Sequence, residues 1–244
     1  MVDLLRRLEV GPEDARASVI WLHGLGASGH DFADVPRLLE LPDVRFIFPH
    51  APNRPVTINM GLIMPAWFDV RRLASDAFDR HAAAGAGDDA IDARAVRQSV
   101  EQVRALIEHE RGRGVPPERV VLGGFSQGGA IALFAGVRHA ERLAGIMVLS
   151  AWEILPHTRA AEESDANRQT PLLVCHGRYD PMVPLVGGQR AYEAYATGGR
   201  PARFHAFPME HAVCLEEIQV IREWLHSCLA PSPRDEAGAR SASD

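Results

Sequence analysis

The organisation of this chain follows from the stretch Val120-Val121-Leu122-Gly123-Gly124-Phe125-Ser126-Gln127-Gly128-Gly129-Ala130. An apolar, β-branched run leads into Gly-x-Ser-x-Gly, and a helical pattern of small residues follows directly. This order predicts a strand, a sharp turn carrying Ser126 and a helix, which together form a nucleophile elbow. Glycines at 124 and 128 leave room for the close approach of strand and helix. The stretch therefore predicts a serine nucleophile, whose acid and base must come from elsewhere in the chain.

The overall composition is that of an ordinary globular protein. The chain has 244 residues, of which 46% are hydrophobic and 24% charged, so it can bury a continuous core without metal or disulfide support. A net charge of -6 gives no electrostatic case for binding nucleic acid or an anionic membrane. All 26 basic residues are arginines. The lack of lysine excludes Schiff-base chemistry, a pyridoxal phosphate lysine and a P-loop lysine.

The cysteines and the N-terminus predict the compartment. The three cysteines (Cys175, Cys214 and Cys228) include no C-x-x-C pair, so no disulfide framework is expected. The first residues contain no apolar signal region, and no later stretch of about 18 apolar residues predicts a membrane span. We therefore expect a cytoplasmic protein without stable membrane insertion.

Buried-strand patterns alternate with helical patterns along the chain. Near-continuous apolar runs predict parallel strands at residues 17–22, 44–48, 120–125, 145–150, 171–177 and 202–207, with an edge strand within 4–10. Helical patterns cover residues 31–41, 92–111, 127–139, 188–197 and 212–229. This alternation predicts an α/β fold with a mostly parallel sheet. We expect one domain over residues 1–230 and a disordered tail over 231–244.

Three segments have no clear periodicity. Residues 74–89 are rich in Ala, Gly and Asp and are expected to be exposed, and residues 155–170 are polar and loop-like. Residues 53–69 are apolar but interrupted by Gly and Pro, which is typical of a functional loop. Such a segment is either core or the lining of an acyl-binding groove beside Ser126. The predicted substrate contacts are Met60, Leu62, Met64, Trp67 and Met182.

A serine nucleophile needs a histidine base and an acid that orients it. In hydrolases of this topology the order along the chain is serine, acid, histidine, each after a strand. Asp180 lies just beyond the strand that ends near residue 177, and His211 lies between the next strand and a helix. Glu210 is the competing acid, but its side chain is expected to point away from its neighbour His211. Ser126, Asp180 and His211 are therefore the predicted catalytic residues.

The segment Gly24-Leu25-Gly26-Ala27-Ser28-Gly29 has two interpretations. As Gly-x-Gly-x-x-Gly after a strand, it matches a dinucleotide fingerprint, but that interpretation needs a carboxylate at the end of the second strand. Phe48-Pro49-His50 stands there instead. The other interpretation is an oxyanion loop, in which the N–H groups of Leu25 and Gln127 stabilise the developing alkoxide. We favour the oxyanion loop and expect no cofactor and no metal; His23 would then hold the loop.

Six motifs in one order resemble the phospholipase/carboxylesterase family, which contains the acyl-protein thioesterases. They are His23-Gly24-Leu25-Gly26, Pro49-His50-Ala51-Pro52, Pro65-Ala66-Trp67-Phe68-Asp69, Gly124-Phe125-Ser126-Gln127-Gly128-Gly129, His176-Gly177-Arg178-Tyr179-Asp180-Pro181-Met182-Val183-Pro184 and Met209-Glu210-His211. The resemblance implies an α/β-hydrolase without a large cap domain. It also implies hydrolysis of short- to medium-chain acyl esters or thioesters by the triad Ser126, Asp180 and His211. Ala212, where many members have serine, and the Ala/Gly-rich residues 74–89 depart from the family pattern.

The sequence leaves several functional hypotheses open. The first is a serine carboxylesterase or thioesterase acting through an acyl-enzyme. The second is a hydrolase-fold protein that binds a small apolar ligand with little or no turnover. A peptidase on the same fold is a weaker third, because no segment suggests a peptide-docking domain. An acyl ester or thioester is the expected partner, and the apolar loop and the resemblance both allow a homodimer.

Overall fold

The computed structural model describes residues 3–72 and 91–230. Its large sheet has seven strands in the order β1-β3-β2-β6-β7-β8-β9, and a separate hairpin pairs β4 with β5. The strands are β1 (Arg7–Val10), β2 (Ala17–Leu22), β3 (Val44–Pro49), β4 (Asn53–Val56), β5 (Leu62–Pro65), β6 (Val120–Phe125), β7 (Gly145–Leu149), β8 (Leu172–Gly177) and β9 (Ala202–Phe207). The helices are α1 (Val35–Leu39), α2 (Ala93–Gly112), α3 (Gln127–Val137), α4 (Arg159–Glu162), α5 (Leu185–Ala196) and α6 (Leu215–Leu229).

The sheet is parallel except at one edge, where β1 pairs antiparallel with β3. Every residue of β2, β3, β7 and β8 is buried. Continuous apolar runs of this kind suit strands that are covered by helices on both faces. The predicted mostly parallel α/β sheet is confirmed, and the predicted strands at 17–22 and 202–207 have the predicted bounds.

Alternate side chains of each strand pack into different halves of the core. In β2, Ile20 and Leu22 face α2 and α3, whereas Val19 and Trp21 face α1 and α6. On the second face, α6 buries Ile221, a side chain with no exposed surface. A large apolar side chain buried in this way contributes roughly 1.5–3 kcal/mol. The two helix layers therefore fix the sheet, and with it the strand ends that carry the candidate site.

Several predicted element bounds are corrected by the structure. The helix expected at 31–41 is a 3-10 turn (Gly29–Phe32) followed by the short α1, after which Glu40 has a left-handed φ of 52°. The loop expected at 155–170 contains two 3-10 turns as well as α4. The last two helices are shifted: α5 begins before residue 188, and α6 begins after residue 212. The expectations for residues 74–89 and 231–244 fall outside the described residues.

Residues 53–70, here called the wall segment, contain a hairpin that the sequence did not predict. β4 and β5 pair antiparallel, and the tip has left-handed backbone at Met60 (φ 57°) and Gly61 (φ 77°). Asp69 holds the turn end of the hairpin, because its two carboxylate oxygens accept 2.7 Å hydrogen bonds from the amide and hydroxyl of Thr57, the residue that follows β4. Each of the two strands has only four residues and contains a proline, Pro55 in β4 and Pro65 in β5. Strands this short leave no clear period-2 signal, and proline in a run argues against a strand unless it lies at an edge.

Candidate active site

Ser126 lies on a strained turn between β6 and α3. Its φ of 54° and ψ of -122° are unusual for a residue with a side chain. The turn is held on both sides, because the Ser126 amide donates to the Leu149 carbonyl (2.8 Å) and its carbonyl accepts from the Ala130 amide (3.0 Å). A Cβ at Gly124 would lie 2.5 Å from the Gly128 carbonyl carbon, and one at Gly128 would lie 2.3 Å from the Leu22 oxygen. Only glycine fits at both positions.

The structure brings Ser126, His211 and Asp180 together at the carboxyl edge of the sheet. His211 Nε2 is 2.9 Å from Ser126 Oγ, and His211 Nδ1 is 2.6 Å from Asp180 Oδ2. An ionised carboxylate only accepts hydrogen bonds, so Nδ1 carries the proton and donates it to Asp180. Nε2 is then an acceptor for the serine hydroxyl. Glu210, the competing acid, is exposed and has no part in this chain of hydrogen bonds.

Asp180 is held in its ionised form. Its other oxygen, Oδ1, accepts 2.8 Å hydrogen bonds from the backbone amides of Met182 and Val183. Burial raises the pKa of Asp180, but the hydrogen bond from His211 and those from the two amides outweigh burial and lower the pKa overall. A carboxylate of this kind fixes the ring orientation of His211 and stabilises its protonated form.

His176 lies directly behind Asp180 and had no role in the sequence prediction. It is fully buried, and its Nε2 is 2.8 Å from the Val183 carbonyl and 3.7 Å from Asp180 Oδ2. Burial lowers the pKa of His176, so the ring is neutral and donates from Nε2 to Val183. A Cβ at Gly188 would lie 2.3 Å from His176 Nδ1. The ring therefore fills the space between α5 and the loop that carries Asp180; its only signal in the sequence is its place in the His176-Gly177 motif.

The predicted oxyanion donors Leu25 and Gln127 both border the same cavity as Ser126. The loop after β2 turns at Gly26 (φ 75°), whose amide donates to the Pro65 carbonyl at 2.8 Å. A Cβ at Gly24 would lie 3.4 Å from Ser126 Cβ, so the loop backbone passes close to the serine. Gln127 is the first residue of α3, where backbone N–H groups have no partner within the helix. The loop and the helix start therefore both lie close to Ser126, and the oxyanion role of their amides stays a prediction.

His23 holds this loop through both ring nitrogens. Its Nε2 accepts the Ala51 amide at 3.0 Å, so Nδ1 carries the proton and donates to the Gly24 carbonyl at 2.7 Å. Burial lowers the pKa of His23, which favours the neutral ring. The His23 carbonyl also accepts the Trp67 indole N–H at 2.8 Å. The ring has the loop-holding contacts expected of it.

The side chain of Gln127 joins the elbow to the wall segment. Its oxygen accepts the Trp67 amide at 2.7 Å, and its nitrogen donates to the Phe68 carbonyl at 2.9 Å. Both groups are buried, so each bond replaces one that water would otherwise supply. The position of the wall segment thus depends on a residue about 60 positions later in the chain.

A cavity of about 620 Å³ opens beside Ser126. Its lining is mainly apolar: Gly24, Leu25, Ala27, Asp31, Phe32, Ile58, Asn59, Val70, Phe125, Ser126, Gln127, Trp152, Met182, Val183 and His211. An apolar cavity with a few polar groups at one end is typical of a small-molecule site. A lining of this kind suits an apolar group next to the serine.

Only one of the five predicted substrate contacts lines this cavity. Met182 does, whereas Met60 and Leu62 lie near the hairpin tip with 92% and 58% of their surface exposed. Met64 packs near Gly26 and accepts a hydrogen bond from the Asn59 amide nitrogen. Trp67 is fully buried beneath the loop. The structure does not place these four side chains in the cavity lining, and a role for them in substrate binding stays a prediction.

Other apolar residues line the cavity instead. Ile58 and Val70 come from the wall segment, Phe32 from the 3-10 turn after β2, and Trp152 from the loop after β7. No single stretch of sequence contains them. Among the residues that the structure describes, no cluster of three or more His, Cys, Asp or Glu side chains is arranged to hold a metal.

A parallel sheet flanked by helices, with a serine on a strained strand-to-helix turn and an acid and histidine after later strands, defines the α/β-hydrolase class. The sequence of this chain matches the Phospholipase/Carboxylesterase family over residues 6–229. The chain belongs to that family, which confirms the resemblance and the fold predicted from the motifs. It is a serine hydrolase of the esterase and thioesterase kind, and no cap domain is present in the described residues.

Curated relatives and solved structures agree with this assignment. The chain is 38% identical to acyl-protein thioesterase 1 of Gibberella zeae over 225 residues, covering 88% of this chain and 92% of the relative. It is 37% identical to acyl-protein thioesterase 1 of Cryptococcus neoformans, covering 92% and 98%. The crystal structure of Arabidopsis thaliana SOBER1 superposes with a TM-score of 0.79 at 32% identity, covering 88% and 100%. Zea mays acyl-protein thioesterase 2 gives 0.76 at 29%, covering 92% and 99%.

None of the helices within residues 3–72 and 91–230 combines the length and the apolar character needed to cross a bilayer.

Proposed function

We propose that this chain is a serine carboxylesterase that hydrolyses short- to medium-chain acyl esters, and acyl thioesters as well, through an acyl-enzyme on Ser126. The observation that carries the proposal is His211, which is hydrogen-bonded to Ser126 Oγ at 2.9 Å and to Asp180 at 2.6 Å. A nucleophile, a base and an orienting acid in this order are what acyl transfer requires. The relatives named acyl-protein thioesterase extend the proposal to thioesters.

Acylation begins when His211 Nε2 takes the proton of Ser126 as Oγ attacks the acyl carbon. The carbonyl oxygen becomes an alkoxide beside the backbone amides of Leu25 and Gln127. Each donor to such an alkoxide contributes about 10²–10³ in turnover. As the tetrahedral intermediate collapses, His211 gives its proton to the departing alcohol or thiol. The acyl group remains bonded to Ser126 Oγ.

Deacylation repeats these steps with water. His211 removes a proton from a water molecule, the hydroxide attacks the acyl carbon, and Ser126 Oγ leaves with the proton that His211 returns. The free acid departs and the enzyme is restored. Throughout, the charge on Asp180 stabilises the protonated ring, which is why the hydrogen bonds that lower the pKa of Asp180 support this role.

The apolar cavity of about 620 Å³ supports an alkyl chain as the acyl group. The test is a kinetic panel of acyl esters and acyl thioesters from acetyl to palmitoyl with wild-type protein. The proposal expects kcat/KM to peak at a short or medium chain and both ester types to turn over. If neither esters nor thioesters were hydrolysed, the proposed function would be overturned.

The alternative is a binding protein with little turnover, and no feature of the described residues favours it over the enzyme. A serine-directed fluorophosphonate probe discriminates the two, since it reacts only with an activated serine. Labelling at Ser126, mapped by peptide mass spectrometry and lost in His211→Ala, supports the enzyme. An unlabelled but folded protein supports the binder.

Three further statements belong to the same proposal. A single domain over residues 1–230 accommodates all seven strands of the large sheet. A cytoplasmic location is supported by Cys175, Cys214 and Cys228, which are all free thiols. A homodimer is compatible with the exposed Met60, Leu62 and Ile63 at the hairpin, and sedimentation velocity would decide it.

A further inference from the structure

A second groove lies on the far side of His211, between α1 and the start of α6. Its volume is about 510 Å³. It is lined by Asp31, Phe32, Val35, Leu38, Phe125, His211, Ala212, Val213, Cys214, Leu215 and Ile218. Asp31, Phe32, Phe125 and His211 also line the cavity beside Ser126. The groove therefore adjoins the proposed catalytic cavity at the ring of His211.

The direction in which the leaving group departs follows from where the other groups on the acyl carbon are placed. Its carbonyl oxygen points to the amides of Leu25 and Gln127, which border the cavity and not the groove. The leaving atom must come within hydrogen-bond reach of His211 Nε2, because that nitrogen gives it a proton. The acyl chain then extends into the cavity, and the leaving group passes over His211, whose ring lies 4.7 Å from the ring of Phe125. That path leads into the groove.

The lining of the groove limits what it can hold. Its lining is mainly apolar. Two of the lining side chains are also open to solvent, since Leu38 is 42% exposed and Leu215 is 65% exposed. Asp31 is the one charged side chain in the lining, apart from the titratable His211. Its carboxylate is fixed by hydrogen bonds from the Ser28 amide (3.4 Å) and hydroxyl (3.1 Å). The neighbouring positions add Arg37 on α1 and Glu216 on α6.

We propose that this groove receives the leaving group of the ester or thioester, and that it selects an apolar leaving group carrying no negative charge. The assignment rests on the proposed function, since it requires acyl transfer through Ser126 and His211. The apolar walls favour binding of alkyl or aromatic groups next to the leaving atom. Asp31, which borders both the groove and the cavity, repels an anion. Substrates whose thiol carries phosphate or sulfonate groups are thereby disfavoured.

The first experiment varies only the leaving group. Acetate esters of ethanol, butanol and hexanol have the same acyl group and alkoxides of similar basicity, so differences in kcat/KM report binding of the leaving group during acylation. We expect kcat/KM to rise about two- to fourfold for each added methylene until the groove is filled. A flat series would overturn the proposal.

The second experiment tests charge with acetyl thioesters of three thiols of similar length that end in methyl, trimethylammonium or sulfonate. We expect the cationic thiol to exceed the anionic one by about tenfold in kcat/KM at low ionic strength, and the ratio to shrink in salt. Preference for the sulfonate would overturn the proposal.

Two variants at one groove position, Leu38→Arg and Leu38→Glu, provide the structural test. Leu38 is partly exposed, so both replacements fit without burying a charge. Leu38→Arg is expected to move the cation-to-anion ratio about fivefold towards the sulfonate, and Leu38→Glu about as far the other way. Leu4→Arg, at a similarly exposed leucine outside the groove (36% against 42% for Leu38), is the control and should leave the ratio unchanged. Equal ratios in all three variants would contradict the groove assignment.

Failure of this inference is distinguishable from failure of the proposed function. If acyl-enzyme forms with each substrate but the leaving group has no effect on kcat/KM, the groove assignment falls and the serine hydrolase stands. If no substrate acylates Ser126, both fall together.

Discussion

The elbow around Ser126 and the wall segment border the same cavity, but their sequences specify structure in different ways. At the elbow, a Cβ on Gly124 or Gly128 would lie 2.5 Å or less from backbone atoms, so only one residue type fits. In the wall segment, the apolar side chain of Trp67 is fully buried whereas that of Met60 is 92% exposed. Contacts between backbones restrict the sequence strongly, whereas contacts between distant side chains do not. The first kind of region can be predicted from one sequence and the second cannot.

The largest expected effect is on activity, at Asp180, the acid that orients the base of the elbow serine. Asp180→Asn should lower kcat by about 10⁴, because an amide at this position favours the wrong tautomer of His211. Steady-state hydrolysis of a nitrophenyl ester measures the loss, and an unchanged melting temperature shows that the fold is intact. Glu210→Gln, the exposed neighbour of His211, is the control and should keep near wild-type activity. A loss at Glu210 as large as that at Asp180 would mean that the acid is misassigned.

Gly128→Ala tests whether the elbow depends on backbone contact. The new Cβ would lie 2.3 Å from the Leu22 oxygen, so we expect the free energy of unfolding to fall by about 1–3 kcal/mol and activity to fall with it. Gly112→Ala is the matched control, since a Cβ there meets no atom within 4 Å and should change stability by less than about 1 kcal/mol. Urea unfolding of both variants measures the difference. If Gly128→Ala and Gly112→Ala had the same free energy of unfolding, the elbow would not depend on backbone contact at residue 128.

Gln127→Glu tests the link between the two regions. The carboxylate cannot donate to the Phe68 carbonyl and has no exposed surface in which to be solvated. We expect a loss of about 1–3 kcal/mol in the free energy of unfolding. The exposed Gln189 provides the control, because Gln189→Glu should stay within about 0.5 kcal/mol of wild type. If both variants were equally stable, the wall segment would not depend on Gln127.

The smallest effect concerns the cavity lining itself. Met182→Ala should lower the octanoyl-to-acetyl ratio of kcat/KM by about threefold, because a partly buried apolar contact with the acyl chain is lost. Met60→Ala should leave that ratio unchanged, since Met60 points to solvent near the hairpin tip. Competition between the two nitrophenyl esters measures the ratio. A larger effect at Met60 would show that the hairpin closes over the substrate.

These contrasts explain how far one sequence can be interpreted. The seven strands of the large sheet were predicted to within a few residues, because buried parallel strands are continuously apolar. Ser126, Asp180 and His211 were predicted as the catalytic residues because each follows a strand end. The structure places them within hydrogen-bond distance. Their catalytic roles stay a prediction until they are measured.

The remaining parts of the site depend on contacts that no local pattern contains. The hairpin at β4 and β5 is held by Asp69 and Gln127, residues outside its strands. Ile58, Val70 and Trp152 reach the cavity from separate loops. His176 looked like one more strand residue, and its place behind Asp180 became evident only from the packing of α5 at Gly188.

The central claim is that Ser126 forms an acyl-enzyme with His211 as its base. Rapid mixing with a nitrophenyl acyl ester tests it most directly, with intact-protein mass spectrometry of the quenched reaction. We predict a burst of nitrophenol stoichiometric with enzyme whenever deacylation limits turnover, and a mass increase of one acyl group located at Ser126. Ser126→Ala should show neither. Full activity in Ser126→Ala, or an acyl group carried by another residue, would contradict the account.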